Sequence, residues 1–140
     1  MIPTNRAIAP QKPVAYTCVC TAAETAFHAP TQTVDLIPAA DNTEGMRLTR
    51  AYALTRANVA SAVNCQLYKK VGATLTQIDS ALMATVSPSG TVANGKVSFT
   101  IDDLSPLFLH PGEGLAAAIG VAVANGVVFR IEGGAYDADT

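Results

Sequence analysis

Tryptophan is missing from this sequence, aromatic residues make up only 6% of it, and charged residues only 14%. A soluble domain usually carries charge on about a quarter of its residues. So low a density leaves little to hold an isolated monomer in solution. Part of the uncharged surface is therefore expected to lie against a partner or a second subunit; the plainer reading is a small alanine-rich surface that tolerates water. The net charge is −2, from 9 basic and 11 acidic residues, so no general attraction to nucleic acid or to a membrane is expected. Cysteine is scarce too: Cys18, Cys20 and Cys65. An odd number argues against a closed disulfide framework, and a chain of 140 residues can bury a core without staples. The segment CVC sets two sulfurs on one face of a strand, but no second Cys or His pair follows at ligand spacing, so small buried thiols are expected. The segment MIPTNRAIAPQKPVAY has no continuous apolar stretch of the kind a secretory signal needs, and no apolar run is long enough to span a bilayer. The expectation is synthesis and assembly in a cytoplasm.

What is present is mostly strand. Residues 1–13 hold Pro3, Pro10 and Pro13, and proline cannot donate to a ladder, so an extended arm is expected there, with Ile2 and Ile8 to bury. From Val14 onwards the chain reads as a single domain, residues 14–140. VAYTCVCT is rich in β-branched and aromatic residues. AETAFHAPTQTVDLIP follows, broken by Pro30, and AADNTEG is a polar loop. In MRLTRAYALTR, Met46, Leu48, Tyr52 and Leu54 share one parity, with Arg50 as the exception. AVNCQLYKK alternates better, with Val63, Cys65 and Leu67 inward and Asn64, Gln66 and Tyr68 outward. LTQIDSALMATV suits a strand or a short helix, and the strand is favoured. KVSFTI alternates cleanly, with Val97, Phe99 and Ile101 on one side.

The region LAAAIGVAVANGVVFRIEGG is strand again, and Asn125-Gly126 between two apolar runs is a strong hairpin signal, because a type I′ turn needs positive φ at both central residues. A hairpin folded there pairs Ala124 with Val127, Ala122 with Phe129, and Gly120 with Ile131. Arg130 and Glu132, two apart on one strand, point the same way and can pair. Val121, Val123 and Val128 around them make that face too apolar for open solvent. Together these segments predict an all-β chain: a jelly-roll-like β-sandwich of about eight to nine strands with an extended N-terminal arm.

Catalytic constellations are hard to find. His28 and His110 are the only histidines. His110 beside PGEG invites a cupin-like metal site with Glu113 as a further ligand, but that scheme needs a close His pair, and Glu113 is better suited to capping a turn. SPSG at Ser87–Gly90 lacks the form of a nucleophile elbow. Asp102 and Asp103 are adjacent, so in a strand they face opposite ways and cannot share a proton; they suit the start of a loop. GEGLAAAIG lacks the Lys and Ser/Thr of a phosphate loop. Arg47, Arg50, Arg56, Lys69 and Lys70 run unbroken by any acid, as solvated strand residues or as a basic stretch facing an acidic partner. Tyr52 and Tyr68 beside Arg50 and Lys69 could form a base-stacking platform, though rim or core tyrosines fit better. The expectation is no enzyme, no metal and no cofactor.

The segments RLTRAYAL, QLYKKVGATLTQIDSALM and LHPGEGLAAAIGVAVANGVVFRIEGGAYD resemble the capsid cement (decoration) proteins of tailed bacteriophages, over most of residues 46–137. The resemblance implies a jelly roll that sits as a homodimer on the outer capsid surface and clamps neighbouring subunits of the major capsid protein, with no direct nucleic-acid contact. No motif in it is catalytic, and none defines contact residues. The candidates for partner binding come from the residues themselves: Ile2, Arg6 and Ile8 in the arm, and Arg47, Arg50 and Arg56 in the basic stretch. Two alternatives stand beside it: another virion accessory, such as a head fibre or tail component, and a cupin-like sandwich that binds a small molecule.

Overall fold

The computed structural model describes residue 10 and residues 12–137. Ile2, Arg6 and Ile8 lie outside the described residues, and so does the arm apart from Pro10, Lys12 and Pro13. Nine strands follow in order: β1 (Lys12–Cys20), β2 (Val34–Ile37), β3 (Met46–Thr55), β4 (Val63–Val71), β5 (Thr74–Met83), β6 (Lys96–Ser98), β7 (Leu107–Leu109), β8 (Gly114–Ile119) and β9 (Val127–Ala135). A single 3-10 turn, Ala39–Asp41, joins β2 to the loop before β3. The strand expected from Val14 begins at Lys12, so Lys12 and Pro13 belong to the sandwich and not to an arm. Pro13 is tolerated because β1 is an edge strand, where a missing N–H costs no ladder bond.

The strands form two antiparallel sheets. The front sheet runs β1-β9-β3-β6, with β7 pairing the other half of β3, and the back sheet runs β2-β8-β4-β5. If β6 and β7 are counted as two pieces of one interrupted strand, the pairing is first with last, second with next to last, and so inward to β4 with β5. That is the wound order of a jelly roll. Between the sheets lie Leu36, Met46, Leu48, Val63, Leu67, Leu115, Ile119, Phe129 and Ile131, all buried. Phe129 stacks on Phe99 with ring centroids 6.1 Å apart.

The expected hairpin at Asn125-Gly126 is not formed. β8 lies in the back sheet beside β2 and β4, whereas β9 lies in the front sheet between β1 and β3. Ala122, Ala124 and Gly120 therefore do not face Phe129, Val127 and Ile131. The turn has Ala124 and Asn125 at its centre and Gly126 in fourth position, closed by Gly126 N donating to Val123 O at 2.9 Å. Only Gly126 has positive φ (+84°), and among the described residues no residue other than glycine does, so the type I′ turn is absent. A Cβ at Gly126 would strike Val19. The segment is a crossover from one sheet to the other. Val121 is partly exposed on it and Val123 is buried, so neither shares a face with Val128.

A second difference sits in β3. The ladder to β9 slips between Leu48 and Arg50, leaving Thr49 as an extra residue. Met46 and Leu48 point inward before the slip; Ala51, Ala53 and Thr55 do so after it. Tyr52 and Leu54 thus lie outward, together with Arg50, and the apparent exception at Arg50 marks a β-bulge. In β4 the expected parity holds, but Gln66 and Tyr68 are outward and fully buried.

Candidate functional site

The two sheets end their outer faces differently. On the back sheet, Tyr68 and Gln66 of β4 stand opposite Ala116 and Ala118 of β8. Tyr68, Ala116 and Ala118 form a small buried cluster with Leu75 packed against it. The alanines leave room for the Tyr68 ring. Residues 21–33, the connection between β1 and β2, are tied to this face by Glu24. Its N–H donates to Ile119 O at 2.7 Å, and its C=O accepts from Gln66 Nε2 at 3.3 Å. Tyr68 donates from its hydroxyl to Gln66 Oε1. The buried Glu24 carboxylate accepts from Ala26 N at 3.0 Å and from Thr31 N and Gln32 N, both at 2.6 Å. Burial pushes its pKa up, but the amide donors outweigh that and hold it below the ordinary carboxylate value. Burial first, and then the Glu24 charge, raise the Tyr68 hydroxyl.

The front sheet carries no such cover from the described residues. Its outer face can be read across the strands from the register. One row is Val19, Val128, Leu54 and Lys96; the next is Thr17, Arg130, Tyr52 and Ser98; the third is Ala15, Glu132 and Arg50. Glu132 organises the middle. Its carboxylate accepts from Arg130 Nε at 2.6 Å and lies 3.8 Å from Arg50 Nη1. The hydrogen bond from Arg130 is the main cause that lowers the Glu132 pKa, and the same bond raises that of Arg130. Tyr52 lies between two cations, the Arg50 guanidinium 4.9 Å and the Lys96 ammonium 4.6 Å from its ring centroid. Two surface grooves, of about 730 and about 490 Å³, share Thr49, Asp103 and Glu132 and open on this face. The bulge at Thr49 is what turns Arg47, Thr49 and Arg50 all outward to line them.

The structure therefore brings Arg47 and Arg50 together. Arg47 Nη2 donates to Asp103 O at 3.4 Å. Arg56 lies elsewhere, at the end of the sandwich, where its N–H donates to Gly126 O at 3.2 Å. Nor do Lys69 and Lys70 join the arginines. They are in β4, paired with Glu113 at 3.1 Å and Asp35 at 3.4 Å. A stretch without acids in sequence meets its acids in space. Tyr52 and Tyr68 stand on opposite sheets, and Tyr68 is buried, so they form no stacking platform. Lys12 and Lys96 were not singled out from the sequence, in which Asp103 suits only the start of a loop. Lys96 lies far from Arg50 along the chain, and only the ladder places it near; Lys12 lies in the row of Ala135 and Met46, beside the groove that Arg47 and Thr49 line.

The remaining chemistry-bearing residues have structural roles. Glu113 accepts from His110 N at 2.8 Å, which closes the turn after β7, and it also pairs with Lys69. Asp102 accepts from Leu104 N at 2.9 Å and Ser105 N at 2.7 Å, starting a loop. His28 sits in the segment that covers the back sheet. Among the described residues no group of three or more His, Cys, Asp or Glu is placed to hold a metal ion. Cys20 and Cys65 are buried, and Cys18 is half-buried. Burial pushes the Cys65 thiol up to about 12, and a hydrogen bond with Cys18 followed by burial raises Cys20. Neither is a thiolate at neutral pH. No described helix is long and apolar enough to cross a membrane. Comparison of the chain with protein-family models, with curated proteins and with solved structures finds no match.

Proposed function

We propose that this chain is a structural virion protein that decorates the outer surface of a phage capsid, bridges major capsid subunits as a homodimer, and so stabilises the head. The observation that carries the proposal is the contrast between the faces. The back sheet buries the centre of its outer face, around Tyr68 and Gln66, under its own chain, while the front sheet offers an open one of Val19, Val128, Leu54 and Tyr52 set among Arg47, Arg50, Arg130 and Glu132. Apolar floor with charges already held in place is the make-up of a protein-binding surface, because ordered side chains lose little entropy on docking. The resemblance to cement proteins and the wound sandwich point the same way.

The mechanism needs no reaction. A protein that binds the assembled shell but not its dispersed subunits shifts the balance toward the shell by mass action. The excess of cation around Tyr52 calls for an acidic side chain on the capsid partner at that point. A cupin-like site is the weaker reading, since the Glu113 carboxylate is already engaged by His110 N and Lys69.

The test compares virus heads with and without this protein under heating. Heads that carry it should survive higher temperatures. Equal survival, or absence of the protein from purified heads, would overturn the proposal. Its position in the particle separates capsid decoration from a head fibre or tail role.

A further inference from the structure

Four positions bound the two sheets, and three of them are guarded against pairing with another chain. β1 begins Lys12-Pro13, with Lys12 exposed and Pro13 lacking an N–H. β2 has only 4 residues, is irregular between Asp35 and Ile37, and is followed at once by Pro38. β6 and β7 have 3 residues each. Shortness, proline, lysine and bulges are the devices that keep a sheet edge from acting as a template.

β5 is different. It is the outermost strand of the back sheet, 10 residues long, and its sequence TLTQIDSALM has no proline, glycine or lysine. Its one charge, Asp79, is engaged by the other sheet's connection: the carboxylate accepts from Thr100 N at 2.8 Å and Thr100 Oγ1 at 2.9 Å, and also from Ser80 N at 2.8 Å. Its one guard is the irregularity beside Asp79, where Ile78 has no partner in β4. Leu82, near the end of the strand, is 68% exposed. A groove of about 250 Å³ runs beside this edge, with Ile78, Ile101, Pro106 and Leu107 in its walls.

We propose that the β5 edge is where two copies of this chain meet, each adding its β5 to the other across a twofold axis. This rests on the reading of the protein as a homodimeric virion component and names the surface that makes the dimer. The hydrogen-bonding pattern of an antiparallel edge is complementary to itself after a twofold rotation, so one edge suffices for both partners. Self-pairing sets like beside like, which would repel on an edge lined with lysine. The edge residues of β5 are Thr, Gln, Ser, Ala, Leu, Ile and Met, with Asp79 held by Thr100, so no bare charge meets its own copy. Pairing covers Leu82, and the groove beside Ile78 receives side chains from the partner strand.

The test measures the mass of the full chain by sedimentation equilibrium over about a hundredfold dilution, since dimers dissociate by mass action. The wild-type protein should weigh twice 14.4 kDa at the concentrated end. Leu82→Lys and, separately, Ser80→Lys should shift it to 14.4 kDa with unchanged circular dichroism and, at dilutions where the wild type is also monomeric, an unchanged unfolding temperature, because both positions are exposed. Arg50→Glu on the front sheet should remain dimeric. A wild-type monomer throughout, or dimers that survive both lysine variants, would overturn the proposal. So would a wild-type monomer whose lysine variants no longer bind heads, which would assign the edge to a capsid strand. Mass is read on free protein and decoration on heads. A monomer that still stabilises heads defeats the edge dimer alone; a dimer that ignores heads defeats the decoration reading alone.

Discussion

Two outer faces of one sandwich, each built on antiparallel strands of similar length, have opposite fates here. The back face is closed over its centre by residues 21–33, hung on the buried Glu24, and the side chains there are small or fully satisfied: Ala116, Ala118, Tyr68 and Gln66. The front face is left open, and its side chains are larger and charged: Tyr52, Arg50, Arg130 and Glu132. The chain has thus spent its own polar groups on one face in ways that stabilise the fold. On the other it holds polar groups in exposed pairs that contribute little to folding. Exposed ion pairs of this kind contribute little to stability. Under the proposed decoration role, their arrangement serves recognition.

Truncating a tyrosine on each face is the sharpest way to break this comparison. Tyr68→Ala should cost about 3–5 kcal/mol in chemical denaturation, as large buried side chains do. Tyr52→Ala should cost no more than about 1 kcal/mol, as surface changes do, yet weaken binding to heads. Equal costs would show that the front face is as structural as the back. Next comes Glu24→Ala, which leaves buried amides unpaired and should cost about 1–3 kcal/mol. Because the folded-state pKa of Glu24 is lowered, its stabilisation is present above the unfolded value of about 4.3 and lost as pH falls through the folded value. The acid limb of a stability-against-pH curve should therefore be shallower in Glu24→Gln than in the wild type.

Charge reversal on the front face should act mainly on binding. The double variant Arg50→Glu, Arg130→Glu should unfold close to the wild-type denaturant midpoint while its affinity for heads falls about tenfold or more at low salt. Unchanged affinity would remove the front face from the account. The smallest effect is expected from Arg56→Ala. Arg56 lies off this face, so neither unfolding nor head binding should move measurably, and a binding defect there would shift the contact surface toward the end of the sandwich.

Much of the fold was legible residue by residue. Val97, Phe99 and Ile101 do point inward, as do Val63, Cys65 and Leu67. Arg130 and Glu132 do pair, and Glu113 and Asp102 cap the turns suggested for them. Each of these rests on period-two alternation or on a side chain reaching its own near backbone. The bulge at Thr49 was legible only as an anomaly, the misplaced Arg50. The cover over Tyr68 left a fainter trace in GLAAAI, a strand with small apolar residues at both parities, which is what a strand buried on both sides requires. The candidate site was half visible: Arg47 and Arg50 were named and Arg130 and Glu132 were placed as a pair on a face to be covered, whereas Lys96 and the meeting of Glu132 with Arg50 entered only through ladder register.

By itself the sequence determined the class of structure, the positions of most strands and turns, and the scarcity of reactive groups, because these depend on local backbone preference and on alternation along a few residues. Only the tertiary structure decided which strands are neighbours. Asn125-Gly126 shows why. A turn glycine with positive φ serves equally well to fold a chain back on itself or to carry it to the other sheet. What chose between them was burial: β8 fills the gap between β2 and β4, and β9 the gap between β1 and β3, each ladder joining residues far apart in the chain. That choice also set Arg130 and Glu132 beside Arg50 and Tyr52, and so made the open face.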